Sequence, residues 1–271
     1  MIQKLFPARF LIRQGATVRI CMRKAFDGSF LCVWAEYAVR FLRFLILALL
    51  WRALAQAGAD LGGMTLDALL TYTLMASALR QQFEIVSPAT SALWEGSIVG
   101  RYLRPVGVIA SLVAETIGRW WIPVFLFYSL PLLLLAPFFG ISPLPASAGS
   151  FFLFLPSLAL SVIVGFSLDL MFAALAIRLK NGCWAAMMVR EALSSLLSGA
   201  VIPFALFPGA LGRFLALTPF GAIASAPLSI YLGAENALQL LALQLFWAAA
   251  LALCARRIFR RSEERMVSYG G

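Results

Sequence analysis

An all-α, polytopic membrane fold is what the sequence predicts, and three observations carry it. The chain of 271 residues is 62% hydrophobic and 13% charged, with 22 Phe, whereas soluble domains are roughly 45–50% apolar and about 25% charged. Several uninterrupted apolar runs reach the ~20 residues that a helix needs to cross a ~30 Å hydrocarbon core, and the mean hydropathy is +0.90. The ~10-residue segments of alternating polarity that mark a membrane barrel are missing. One membrane domain over residues 1–271 is expected. The net charge of +10 does not point to nucleic acid, because the basic residues form no patch with interleaved aromatics. They fall between the apolar runs, where they set topology.

The elements follow in order. Residues 1–29 carry Lys4, Arg9, Arg13, Arg19, Arg23 and Lys24. On a helical projection Arg9, Arg13, Arg19, Arg23 and Lys24 share one arc, with Phe10, Leu11, Val18, Met22 and Ala25 opposite. This predicts a basic amphipathic helix lying in the membrane interface; a solvated basic tail is the alternative. The apolar "FLILALL" and small-residue "ALAQAG" imitate a secretory signal, but the candidate cleavage site near Ala57 lies well beyond the usual ~15–30 residues. Residues 30–55 therefore read as a retained first span, followed by spans at 64–86, 120–139, 151–177, 184–204 and 237–258.

Six spans place both termini on one side. That side collects the basic residues of 1–29, then Arg80, Arg101 and Arg104, then Arg178, Lys180 and Arg190, and finally Arg256, Arg257, Arg260, Arg261 and Arg265 in and before the tail at 259–271. The opposite loops carry only Arg213. The positive-inside bias makes the termini cytoplasmic.

Two connections are unusual. The cytoplasmic segment 80–119 contains "WEGSIVGRYLRPVG" (94–107), a polar, basic, turn-rich island between apolar runs. Ser87 and Pro88 can start a helix as cap and first position, and "VGVIASLVAETIGRW" runs unbroken, with Glu115 and Arg119 one turn apart. A helix, a turn at Arg104 and Pro105, then a helix entering the third span is the preferred reading, and such an element could dock onto a soluble partner. On the other side, "SGAVIPFALFPGALGRFLALTPFGAIASAPLSIYLG" (198–233) places Pro203, Pro208, Pro219 and Pro227 among residues apolar enough for membrane depth. Proline breaks helices, and broken backbone is tolerated in lipid only where protein or water satisfies it. Pro208 and Gly209 make a turn, and Thr218 before Pro219 reads as the cap of a new short helix. The expectation is an outer re-entrant helical hairpin at 205–233.

With these pieces the chain resembles the membrane subunits of the type-2 permease class of ATP-binding-cassette exporters. The matching stretches are "LLWRAL", "GGMTLDALLTYTL", "WEGSIVGRYLRPVG", "LSGAVIPFALFPGALGRFLALTPF" with "APLSIYLG", and "RMVSYGG", in order from about Leu49 to Gly271. The resemblance implies a non-catalytic half-transporter of the bacterial inner membrane, working as a homodimer or with a sister permease. A separate pair of ATPase subunits would bind ATP and Mg. It makes the island the coupling element, with Trp94, Glu95, Arg101, Tyr102, Arg104 and Pro105 at the ATPase interface; Trp, Tyr and Arg dominate interface energetics. It also places the substrate pathway between spans two and five. Asp67, Thr71 and Gln81 on span two, and Met187, Glu191, Ser194 and Ser198 on span five, are the pathway candidates, although Ser and Thr also hold helices together.

The remaining residues bear on the rivals. No GxxxxGK[ST] exists, so this chain cannot bind ATP by the P-loop mechanism. There is no histidine, and Cys21, Cys32, Cys183 and Cys254 lack metal-site spacing, so no metal or cofactor is expected. A proton-coupled secondary carrier would use Asp169 as its protonation site, but no inverted repeat is visible. A membrane lipid-modifying enzyme would need the paired carboxylates or histidine of acid–base chemistry. "VWAEYAVRFLRF" places Glu36, Arg40 and Arg43 on one face of the first span, more charge than the resemblance implies there. Interfacial placement, with the span starting near Phe41, is preferred over a polar interior, because arginines near span ends snorkel.

Overall fold

The structure is a computed structural model that describes residues 7–25, 30–94, 98–103, 107–178 and 183–269. Every element among these residues is helical: α1 (Pro7–Ala25), α2 (Phe30–Gln56), α3 (Leu66–Ala78), α4 (Arg80–Phe83), α5 (Ala89–Trp94), α6 (Val99–Tyr102), α7 (Val108–Phe139), α8 (Ala148–Arg178), α9 (Cys183–Leu197), α10 (Leu211–Leu217), α11 (Ser225–Tyr231) and α12 (Ala237–Tyr269). Three of them are long and apolar enough to cross a membrane by length and composition: 108–139, 148–175 and 237–259. The other expected spans differ for identifiable reasons. Helix α2 has 27 residues, about 40 Å of helix, but carries Arg40, Arg43 and Arg52.

The second expected span, 64–86, is shorter than the apolar run suggests. Thr65 caps α3 by accepting a hydrogen bond from the Ala68 amide (3.2 Å). The helix breaks at Leu79, where the Ser129 hydroxyl donates to the Ala78 carbonyl (2.6 Å). After Phe83 the chain leaves helical geometry through Ile85 and Ser87. The fifth expected span, 184–204, also ends early. Helix α9 has 15 residues and stops at Leu197, and Gly199 takes φ +77 against Phe204 and Ser225, a left-handed conformation that glycine adopts without steric cost.

Helix α7 runs unbroken from residue 108 of the 80–119 connection through the third expected span. Its path alternates α-helix with two wide π turns, Ile117–Trp121 and Phe125–Ser129. Pro123 and Pro131 lie just beyond them. A proline lacks the amide for the i−4 carbonyl and its ring crowds that turn; widening the preceding turn accommodates both effects.

Helix α8 is the central mast and packs on α12, α11, α9, α5 and α4. One buried cluster joins Tyr72, Phe154, Leu228, Ile230 and Tyr231. A second joins Phe44, Trp51, Leu69, Leu74, Tyr128 and Leu132 of α2, α3 and α7. A third seals the opposite end, with Ala89, Ile98, Leu112, Leu170 and Phe259.

Helix α1 lies across the beginning of α7 rather than standing free. A Cβ at Gly118 would sit 2.4 Å from the Val18 carbonyl oxygen, so the backbones touch where glycine removes the side chain. Arg13, Arg19 and Arg23 remain exposed, while Val18 and Met22 are half-buried; the side chains of Arg9, Phe10, Leu11 and Lys24, and all of Lys4, lie outside the described ones.

Candidate functional site

The segment between α4 and α5 is held by a buried ionic knot. Asp169 of α8 is 3% exposed and Arg190 of α9 is 8% exposed. Arg190 Nη1 donates to Asp169 Oδ1 (2.9 Å) and to the Ile85 carbonyl. The Ser87 amide donates to Asp169 Oδ2 (3.2 Å), and the Ser87 hydroxyl donates to the same oxygen. Ser87 Oγ accepts in turn from the Ala89 amide (3.2 Å), the helix-starting role that the sequence predicts. Gly165 lets Ile85 seat against α8, since a Cβ there would meet Ile85 Cδ1 at 2.9 Å. Both oxygens of Asp169 are engaged by this knot, an arrangement suited to a structural tie between α8, α9 and the chain at 85–87.

The tie leads directly into the island. Helix α5 packs on α8, and Ala89, Ala92 and Ile98 are buried. Arg101 turns inward and meets Glu115 of α7 at 2.8 Å, both side chains largely covered, although the two groups are not aligned as a hydrogen bond. Glu115 therefore reaches across the turn as well as sitting one helical turn before Arg119, whose guanidinium lies over the Trp120 ring at 5.3 Å. The outward surface is Tyr102, 47% exposed, and Leu103, 86% exposed. Glu95, Arg104 and Pro105 lie outside the described residues, as does the side chain of Trp94.

Beside the knot lies a charged cavity of about 290 Å³. Val39, Arg40 and Arg43 line it from α2, Arg80, Gln81, Glu84 and Val86 from α4 and the chain after it, and Arg190, Glu191 and Ser194 from α9. Arg40 donates to Gln81 Oε1 (3.2 Å) and stands 6.0 Å from the Tyr128 ring centre. Arg80 pairs with Glu84 at 2.7 Å. Arg40, half-buried, and Arg43, exposed, thus both line this cavity. The side chain of Glu36 lies outside the described ones.

The pathway candidates divide. Gln81, Glu191 and Ser194 come together on this cavity. Thr71 is buried and donates to the Ser142 carbonyl (2.9 Å), Ser198 is buried beneath the hairpin, Asp67 sits exposed in the first turn of α3, and Met187 is half-buried on α9. Sequence reasoning missed the Asp169–Arg190 pair. Its signal was available: one acid and one base inside neighbouring apolar runs require a partner.

The segment at 198–233 folds as a broken hairpin whose free carbonyls are taken by neighbouring side chains. Tyr72 Oη donates to Gly199 (2.7 Å), Gln244 Nε2 to Ala222 (2.8 Å), Trp247 Nε1 to Leu217 (3.0 Å), and Ser161 to Ile223. Gly209 turns the chain at φ +61 beside the exposed Pro208, and Pro203 is buried. Thr218 behaves differently from expectation. Its hydroxyl accepts from the Gly221 amide at 3.4 Å and donates to Leu215, so it closes a turn through the half-buried Pro219, and the next helix begins at Ser225.

Residues 41–270 match the family described as ABC-2 family transporter protein. No curated protein and no solved structure matches the chain. The family match begins within α2 at Phe41 and runs through α12, and so contains the knot, the island, the broken hairpin and the cavity apart from Val39 and Arg40 of its lining: the chain belongs to the ABC-2 family of transporter permeases.

Proposed function

We propose that the protein is the membrane subunit of an ATP-binding-cassette exporter and forms its substrate pathway as a permease dimer. The observation that carries this reading is the family match over residues 41–270. In a chain with no phosphate-binding loop, energy must come from a separate ATPase pair, which supplies the ATP and Mg sites. The helices α2, α3–α4 and α9 complete six crossings, their polar faces covered by protein or water, and the basic ends face the cytoplasm of a bacterial inner membrane. The ATPase docks on the island, and its closure moves α5 and α6. The Asp169–Arg190 knot carries that movement to α8 and α9.

Tyr102 and Leu103 are the docking residues best exposed for this role, with Trp94, Glu95, Arg104 and Pro105 beside them in sequence. Arg101 serves from behind, by fixing the island to α7 through Glu115. Truncating aromatic anchors at interface centres often costs about 2 kcal/mol or more. Tyr102→Ala with Leu103→Glu should therefore reduce co-purification of the ATPase subunit more than ~20-fold, while an outer-face control, Arg213→Ala, retains it. Undiminished ATPase recovery from the double variant overturns the docking assignment.

A further inference from the structure

The cavity beside the knot is lined by charged groups of both signs. Arg80 is paired with Glu84 through one carboxylate oxygen, and Arg190 is engaged by Asp169. That leaves Arg43, which has no hydrogen-bond or ion-pair partner among the described residues, and Glu191, which likewise has none. The second oxygen of Glu84, Oε1, is buried and accepts no hydrogen bond. Buried, that oxygen is closed to a ligand, whereas Arg43 and Glu191 are exposed and open to groups of opposite charge. The two do not neutralise one another, because Arg43 and Glu191 stand on different walls and are not in ion-pair contact. A purely anionic ligand would satisfy Arg43 and meet repulsion from Glu191 and Glu84; a purely cationic one would meet the arginines. The apolar walls at Val39 and Val86 suit a ligand with hydrocarbon next to its charges.

We infer that this cavity binds the zwitterionic end of a transported molecule, its acidic group on Arg43 with Arg40 close by, and its primary ammonium on Glu191. An ammonium donor suits the exposed Glu191 carboxylate, and a phosphate or carboxylate matches a guanidinium fork. This rests on the reading of the chain as a permease, since it names the substrate class of that same pathway. Ligand chemistry of this kind comes from an aminophospholipid-like headgroup or from the ends of a short peptide. Because Arg190 forms one wall and also holds Ile85 and Asp169, an occupant of the cavity sits against the tie to the coupling segment.

The test is direct binding to the purified full-length chain in maltoside detergent, without the ATPase, so its result is separate from that of the co-purification experiment. Four probes are titrated: dihexanoyl phosphatidylethanolamine, dihexanoyl phosphatidylglycerol as the anion-only analogue, dihexanoyl phosphatidylcholine, whose quaternary nitrogen has no N–H donor, and trialanine. Binding of the ethanolamine lipid at least tenfold tighter than the glycerol and choline lipids supports the proposal with a lipid source; preferred binding of trialanine supports it with a peptide source. Arg43→Gln and Glu191→Gln should each weaken the preferred probe about tenfold, the loss of one charge-assisted contact, and Glu191→Gln should narrow the preference over the anion-only lipid. Val39→Trp, which fills the cavity without altering charge, should abolish binding and serves if a charge variant does not fold. Equal affinity for all probes, no binding of any, or unchanged binding in Val39→Trp overturns the inference.

Discussion

Asp169 and Arg190 show how two charges can be kept among apolar helices: each answers the other, and the surplus hydrogen-bonding capacity is used on Ser87 and Ile85. Removing one partner of such a pair strands the other and costs about 3–5 kcal/mol, whereas replacing both with apolar residues is often near neutral. Asp169→Leu and Arg190→Leu should therefore each lower the thermal midpoint of the detergent-solubilised protein, and the double variant should recover most of the loss. A double variant whose loss equals the sum of the two singles would show that the pair does not act as a unit. At this scale the sequence was half legible. Ser87 as a helix start follows from spacing, and Gln81, Glu191 and Ser194 as companions on one site follow from the family resemblance together with helical spacing. The partnership of Asp169 with Arg190 does not, since it depends on the rotation of α8 against α9.

At the level of elements, α1 shows what an amphipathic pattern can and cannot say. Its basic arc faces outward as the periodicity requires, but its opposite face is partly used on α7, through the contact of Val18 with Gly118. Gly118→Val should push α1 off α7, because no rotamer moves a Cβ away from a backbone oxygen at 2.4 Å. The expected outcome is faster trypsin cleavage at Arg19 and Arg23 in the folded protein; cleavage rates equal to those of the parent chain would mean that α1 is not held there. The broken hairpin makes a related point. Prolines announced that the helix must break, and Tyr72, Ser161, Gln244 and Trp247 supply the donors that make the break tolerable.

Across the whole molecule, the two ends are distinct. At one end the loops after α2 and α7 meet the hairpin: Gly62 abuts Ala205, the Ala146 amide donates to the Tyr231 carbonyl (3.1 Å), Arg52 donates to Phe139, and Tyr231 donates to Pro143. The other end holds α1, α4 to α6 and the knot. The proposed orientation places the second end in the cytoplasm. In a background with Cys21, Cys32, Cys183 and Cys254 replaced, single cysteines at Leu144 and Ala210 should react with a membrane-impermeant maleimide on intact cells, and one at Leu103 should react only after permeabilisation. Labelling of position 103 from outside would reverse the orientation.

By itself the sequence determined the all-helical class of fold, the break before α12 and the polar, turn-rich segment at 94–107. Those follow from composition, apolar run length, proline and charge, which act locally along the chain. Tertiary structure decided where α3 and α9 stop, that Arg40 and Arg43 line one cavity with Gln81 and Glu191, and that Arg101 turns inward while Tyr102 and Leu103 turn out. Each of these depends on which helix stands next to which. A hydroxyl from α7 ends α3, a carboxylate from α8 secures Ser87, and the space between α2 and α9 makes room for charge. Hydrogen bonds and ion pairs are satisfied by whichever groups are close in space, and for residues 82 positions apart, as Ser87 and Asp169 are, only the packed bundle makes them neighbours.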